Sequence, residues 1–145
     1  MLSYDVRAVS TAPREEVWSL LLDPGSWPSW SSVDELVLDQ SEGLAPDGRD
    51  GVGATRAFRT GKVVTAERIT ALDPPRRLVY EGVRNAYLAD YVAEIELEES
   101  PSGGTVIRWS GTYTARWGTG WLMGRLMRGV MRRMADGLAS CSSAQ

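Results

Sequence analysis

The residues that could do chemistry in this chain are defined first by two absences: it has no histidine and a single cysteine, Cys141. Without imidazole, the usual general base near neutral pH, the histidine-containing triads and most zinc sites are gone. One thiol makes neither an intramolecular disulfide nor a cysteine pair for a metal. Catalysis would have to use Asp, Glu, Tyr, Arg, Ser, Thr, the lone Lys62 or ordered water, and neither a metal nor a cofactor is expected. Among the charges, Arg56 is the most informative. In "TRAFR", residues 55 to 59, it shares strand parity with Phe58, so if Phe58 points inward Arg56 does too, while Thr55, Ala57 and Arg59 take the other face. An arginine in an apolar enclosure needs an acidic partner or an anionic ligand; a bulge or a position near the strand end would instead leave it in solvent. Arg84 carries the same two readings. Glu67 and Glu81 are the best placed carboxylates by strand position, yet no spacing ties either to a partner in an acid/base pair, and no residue is assigned a catalytic role.

The aromatic residues Tyr80, Tyr87, Tyr91, Trp109 and Tyr113 fall in strand-like segments. Taken singly, each serves as ordinary core packing; taken together, several hydroxyls and an indole directed into an apolar enclosure match the design of a ligand pocket. Met123, Met127, Met131 and Met134 share a helical stripe with Leu126 and Val130. Thioethers fill irregular cores and also line adaptable ligand walls. Three of the six tryptophans, Trp18, Trp27 and Trp30, crowd into residues 12 to 32. Trp18 belongs to a helical stripe, and one of the other two is expected to face a ligand space.

These residues need elements to hold them. "SYDVRAV", residues 3 to 9, alternates as a first strand, with Tyr4, Val6 and Ala8 on one face. The period then becomes helical: Pro13 suits a first turn, Glu15 and Glu16 complement its positive end, and Val17, Trp18, Leu21 and Leu22 form the apolar stripe. Asp23-Pro24-Gly25 ends that helix, and a short turn forms around Pro28. "VDELVLD" at 33 to 39 reads as a second strand, and "QSEGLAPDGRDGVG" as a loop. Five further strand segments follow, separated by short turn signals that favour antiparallel neighbours. In 87 to 97 the alternation puts Tyr87, Ala89, Tyr91, Ala93, Ile95 and Leu97 on an inner face and Leu88, Asp90, Val92, Glu94 and Glu96 on a mostly acidic outer one. From about Gly118 to Ala139 one long amphipathic helix closes the chain, its stripe running from Leu122 to Leu138. The four glycines inside it each cost on the order of 1 kcal/mol relative to alanine, so close packing or bending is expected to compensate.

The whole, residues 1 to 145, reads as one α+β domain. A net charge of -3 gives no general attraction to nucleic acid. No segment is long and apolar enough to span a bilayer, and Met1 leads straight into an alternating stretch instead of a signal peptide, so a soluble cytoplasmic protein, monomer or homodimer, is expected. The arginines beside the methionine stripe suggest a basic helix lying on a membrane, but a helix needed to close the core does not expose its apolar face cheaply.

"VSTAPREEVWSLLLDPGSWPSW", then "ITALDPPRRLVYEG" and the closing arginine-rich helix, resemble the polyketide cyclase/dehydrase-like branch of the START-related (SRPBCC, Bet v 1-like) superfamily over essentially the whole chain. The resemblance implies a helix-grip fold: a curved antiparallel sheet of about seven strands wrapped around the long C-terminal helix, with two short helices after the first strand and a cavity for hydrophobic molecules between them. It identifies scaffold more than chemistry. On that basis the expected ligand-facing residues are Trp30, Arg56, Phe58, Tyr80, Tyr87, Tyr91, Trp109, Tyr113, Met123, Leu126, Met127, Val130 and Met131. The expected function is carriage or sequestration of a hydrophobic small molecule such as a lipid, polyketide or isoprenoid. A polyketide aromatase/cyclase or dehydratase working in the same cavity, and an interaction module using an exposed face, are the alternatives.

Overall fold

In the computed structural model, which describes residues 1–116 and 120–143, the chain forms β1 (Leu2–Ser10), α1 (Arg14–Leu22), α2 (Trp27–Trp30), β2 (Glu35–Leu36), β3 (Thr55–Thr60), β4 (Val63–Asp73), β5 (Arg77–Arg84), β6 (Leu88–Glu99), β7 (Thr105–Ala115) and α3 (Gly120–Ser143). The strands make one antiparallel, curved sheet in the order β1-β7-β6-β5-β4-β3-β2. α3 lies across β1 and β7 and also touches α1 and α2. This is the helix-grip architecture expected from the sequence.

β1 alternates as its residues dictate: Tyr4, Val6, Ala8 and Ser10 are buried, whereas Asp5, Arg7 and Val9 face water. On that outer face acidic residues of β1, β5 and β6 meet arginines on neighbouring strands. Arg108 binds Asp5 at 2.7 Å and reaches Glu96 at 3.9 Å, Arg77 pairs with Glu94, and Arg68 bonds Glu81 at 3.2 Å. Exposed pairs of this kind contribute little each, but opposite charges in register favour the pairing that is seen.

Two strand readings change. Only Glu35–Leu36 of the 33–39 stretch is a strand, because it is a sheet edge with one neighbour and the chain then turns into a 3-10 turn over Leu38–Gln40. The Ser41 hydroxyl there donates to the Val37 carbonyl and accepts from the Ala57 amide, replacing ladder bonds. In β6 a register shift between Ala89 and Val92, with Asp90 at φ 53°, inverts the parity of the first residues. Leu88 is therefore buried, and Tyr87, expected inside, is 46% exposed.

α3 has two unlike halves. From Met131 onward, Met131, Met134, Ala135, Leu138, Ala139 and Ser142 are buried. Gly137 fits here for a steric reason: a Cβ on it would come within 1.9 Å of the Trp30 carbonyl oxygen. From Gly120 to Val130, Met123, Met127 and Val130 are only half-buried, and Trp121, Leu122 and Leu126 are exposed. Leu126, expected to face a ligand, is instead 54% exposed, on a half of the helix whose stripe the core leaves only partly covered. The expected helix start at Gly118 lies outside the described residues.

Candidate functional site

The inner face of the sheet carries two polar constellations and one loosely covered seam. At the α2 end, Trp27 stacks on Phe58 (centroids 5.0 Å apart), meets Trp109 edge-on at 5.9 Å and lies 4.7 Å from Trp30. These rings fill the space between α2 and the sheet, so the expected hollow is closed there by side chains. Trp30 and Phe58 are brought to the same place, each packed on Trp27.

Arg56 is 1% exposed and does share its face with Phe58. Its guanidinium donates to the Leu21 carbonyl at 2.7 Å, lies 4.0 Å from Asp50 and sits over the Trp27 ring at 4.8 Å. A cation on the terminal carbonyls of α1 also complements the negative end of that helix. Glu67 stands opposite Arg56 in the β3–β4 register. Arg56 therefore has internal partners for one nitrogen, while its Nε and Nη2, like Asp50 Oδ2, are buried without a hydrogen bond. Burial pulls the guanidinium down from its ordinary value, and Glu67 and Asp50 hold it up. Arg84 is exposed and bonds Gln40.

The second constellation runs across four strands, β1, β5, β6 and β7. The Tyr4 hydroxyl bonds the Tyr91 hydroxyl, which lies 3.0 Å from that of Tyr80, and the Trp109 indole donates to Tyr80 at 3.1 Å. All four side chains are buried. Gly111, paired with Tyr4, makes this possible: a Cβ there would lie 2.8 Å from the Tyr4 ring. Burial raises all three phenols above their ordinary value, and the Glu67 carboxylate raises them further. Glu67 itself is pushed up from 4.5 to about 7 by desolvation, only partly opposed by Arg56. The residue keeps some exposure, but its Oε2 is sealed and has no hydrogen-bond partner. The sealed atom governs its titration more than the residue average does. A carboxyl near neutrality beside a phenol chain can exchange a proton with a bound molecule.

The seam lies between the first half of α3 and β7. Tyr113 is fully buried, yet its hydroxyl has no hydrogen-bond partner. Burial raises its pKa, and Arg128 on α3 pulls it back. Met123, Met127 and Val130, on the first half of α3, pack against the core without being sealed. Beyond the seam, at the sheet end where β4 and β6 begin and β5 and β7 finish, a groove of about 540 Å³ is bordered by Lys62, Val83, Arg84, Asn85 and Arg116.

Of the residues expected from sequence, Tyr80, Tyr91 and Trp109 join the phenol network, Tyr113, Met123, Met127 and Val130 the seam, and Met131 the closed half of the helix contact. Three residues of consequence were not singled out as site residues. Tyr4 had a readable signal: its inward parity and an isolated glycine, Gly111, in a strand, which marks close approach by a neighbour. Glu67 was placed by parity but had no visible partner. Asp50, 2% exposed and accepting from the Ala45 amide at 2.8 Å, lies in a loop whose composition gives no sign of burial.

Among the described residues, no group of three or more His, Cys, Asp or Glu side chains is placed to hold a metal, and no helix is long and apolar enough to cross a membrane. The profile of a family described as polyketide cyclase / dehydrase and lipid transport matches residues 1–141. Similar solved structures include the protein XoxI from Bacillus cereus, with 18% identity over 97% of this chain and 95% of that one and a TM-score of 0.78. A START superfamily protein from Mycobacterium smegmatis has 11% identity, 98% and 97% coverage and a TM-score of 0.78. An Aha1 dimer from Colwellia psychrerythraea has 15% identity, 96% and 97% coverage and a TM-score of 0.69. These likenesses establish the fold. A comparison with curated proteins finds no match.

Proposed function

The chain belongs to the polyketide cyclase/dehydrase and lipid-transport family, and from that premise we propose that it binds one hydrophobic small molecule, a lipid, polyketide or isoprenoid-like compound, as a carrier. The guest enters the seam between the first half of α3 and the inner face of β7. The observation that carries this reading is the Tyr113 hydroxyl, sealed from water without a partner, on a strand that α3 crosses, while Met123, Met127 and Val130 on the first half of that helix are only half-buried. A buried hydroxyl left unpaired costs about 1–3 kcal/mol, and a guest carbonyl or hydroxyl would offset that cost. Flexible thioethers around it suit an irregular apolar guest.

A second reading rests on Glu67. With its carboxyl at about 7 and the Tyr4, Tyr80 and Tyr91 phenols in its field, the interior has a base and hydrogen-bond donors. It could take a proton next to a ketone while a phenol stabilises the enolate. That is the start of a cyclisation or dehydration on a poly-β-keto chain.

Native mass spectrometry of protein purified without detergent, before and after incubation with a short poly-β-keto mimic, separates the two. The carrier reading predicts a one-to-one apolar adduct and a mimic released unchanged. Loss of water from the mimic, abolished by Glu67→Gln, would favour catalysis. A bare polypeptide mass in both samples would sink both.

A further inference from the structure

The opening turns of α3 expose large apolar side chains that the fold had no need to expose: Trp121 at 72%, Leu122 at 43% and Leu126 at 54%. Arg125 and Arg128 stand exposed among them. α3 as a whole carries four arginines against one acid, Asp136, in a chain whose net charge is -3, so its positive charge is concentrated against an acidic remainder.

The sheet end next to these turns has the same character. Gly120 sits against Leu2, whose strand partner is Tyr113, so α3 starts at the edge where β7 finishes. Arg116, just past the end of β7, is fixed there by bonds to the Asn85 and Leu88 carbonyls. The groove at this edge brings Lys62, Arg84 and Arg116 beside exposed Val83, with Asp90 as the acid in its lining. Tyr87 stands exposed at the same corner.

We propose that this edge, Trp121, Leu122 and Leu126 with the surrounding arginines and Lys62, is a docking face for an anionic lipid bilayer. Apolar side chains enter the headgroup boundary, Trp121 sits at its polar margin, and the arginines lie along the surface on extended stems. The second half of α3 closes the core, so the same helix performs both tasks. A protein partner is favoured less, because the apolar residues project from a convex helix instead of lining a recess. The inference goes beyond guest binding and does not depend on it.

Vesicle flotation tests it, using phosphatidylcholine alone and phosphatidylcholine with about a third phosphatidylglycerol. The expected result is flotation with the anionic vesicles only, weakened by salt. Trp121→Ala/Leu122→Ala and, separately, Lys62→Glu/Arg125→Glu should each lower partitioning at least about tenfold, with unfolding temperatures unchanged. Absence of flotation, equal flotation with neutral vesicles, or concentration-dependent self-association that the same substitutions abolish would overturn the proposal. Guest binding measured without vesicles should survive both double substitutions, so a failure of either reading is seen separately.

Discussion

At the scale of single residues, Glu67 is the group that the fold treats most unusually. A carboxyl pushed up from 4.5 to about 7 holds a proton in the folded state that the unfolded chain has already released between those values. Its contribution to stability is therefore present in full below about pH 4.5 and lost as the pH rises through 7. Because part of the residue stays in contact with solvent, the swing expected from it is about 1–3 kcal/mol. Chemical denaturation from pH 5 to 8 should show the wild type losing stability over that range and Glu67→Gln remaining flatter. A variant with the wild-type slope would mean that Glu67 is ionised throughout. Strand parity, a local property, put Tyr91 and Trp109 on the inner face, where they are buried, and tied Arg56 to Phe58 without deciding between cavity and solvent for the arginine. It could not pair Arg56 with Asp50, since that contact depends on how a loop with no periodicity folds back over the end of α1.

At the scale of elements, α3 shows where propensity and packing part company. Gly137 has the Trp30 carbonyl where a Cβ would go, whereas at Gly124 the nearest atom is the flexible end of Arg128 at 3.7 Å. Gly137→Ala should cost several kcal/mol, on the order of 2–4, by forcing α2 and α3 apart. Gly124→Ala should stabilise by about 0.5–1 kcal/mol through helix propensity. Urea unfolding of the two variants checks both signs, and equal destabilisation would contradict the close contact assigned to Gly137. The helix and its stripe were legible from spacing, yet spacing alone does not say which half of the stripe is covered. The misplacement of Tyr87 has a comparable cause. The shift at Ala89–Val92 adds a step to the alternation, and an Ala-Asp pair in a strand carries no mark that distinguishes a bulge from regular pairing.

At the scale of the molecule, the sheet, the short helices and α3 divide the interior unevenly. Trp27, Trp30, Phe58 and Trp109 pack it at the α2 end, the phenols of Tyr4, Tyr80 and Tyr91 link β1, β5 and β6, and half-buried Met123 and Met127 mark the part of α3 where the proposed guest would enter. Family resemblance implied the helix-grip fold; the packing within it comes from tertiary contacts such as Trp27 on Phe58, which join segments some thirty residues apart. Under the two proposals together, the basic, apolar edge would set the start of α3 against the surface that a hydrophobic cargo leaves. Whether the seam takes a guest is measured most directly by fluorescence titration with 1-aminoanthracene. The account predicts saturable one-to-one binding that Met127→Glu weakens about tenfold or more while the fold is retained. Non-saturating fluorescence, or binding that is indifferent to a charge at Met127, would contradict it.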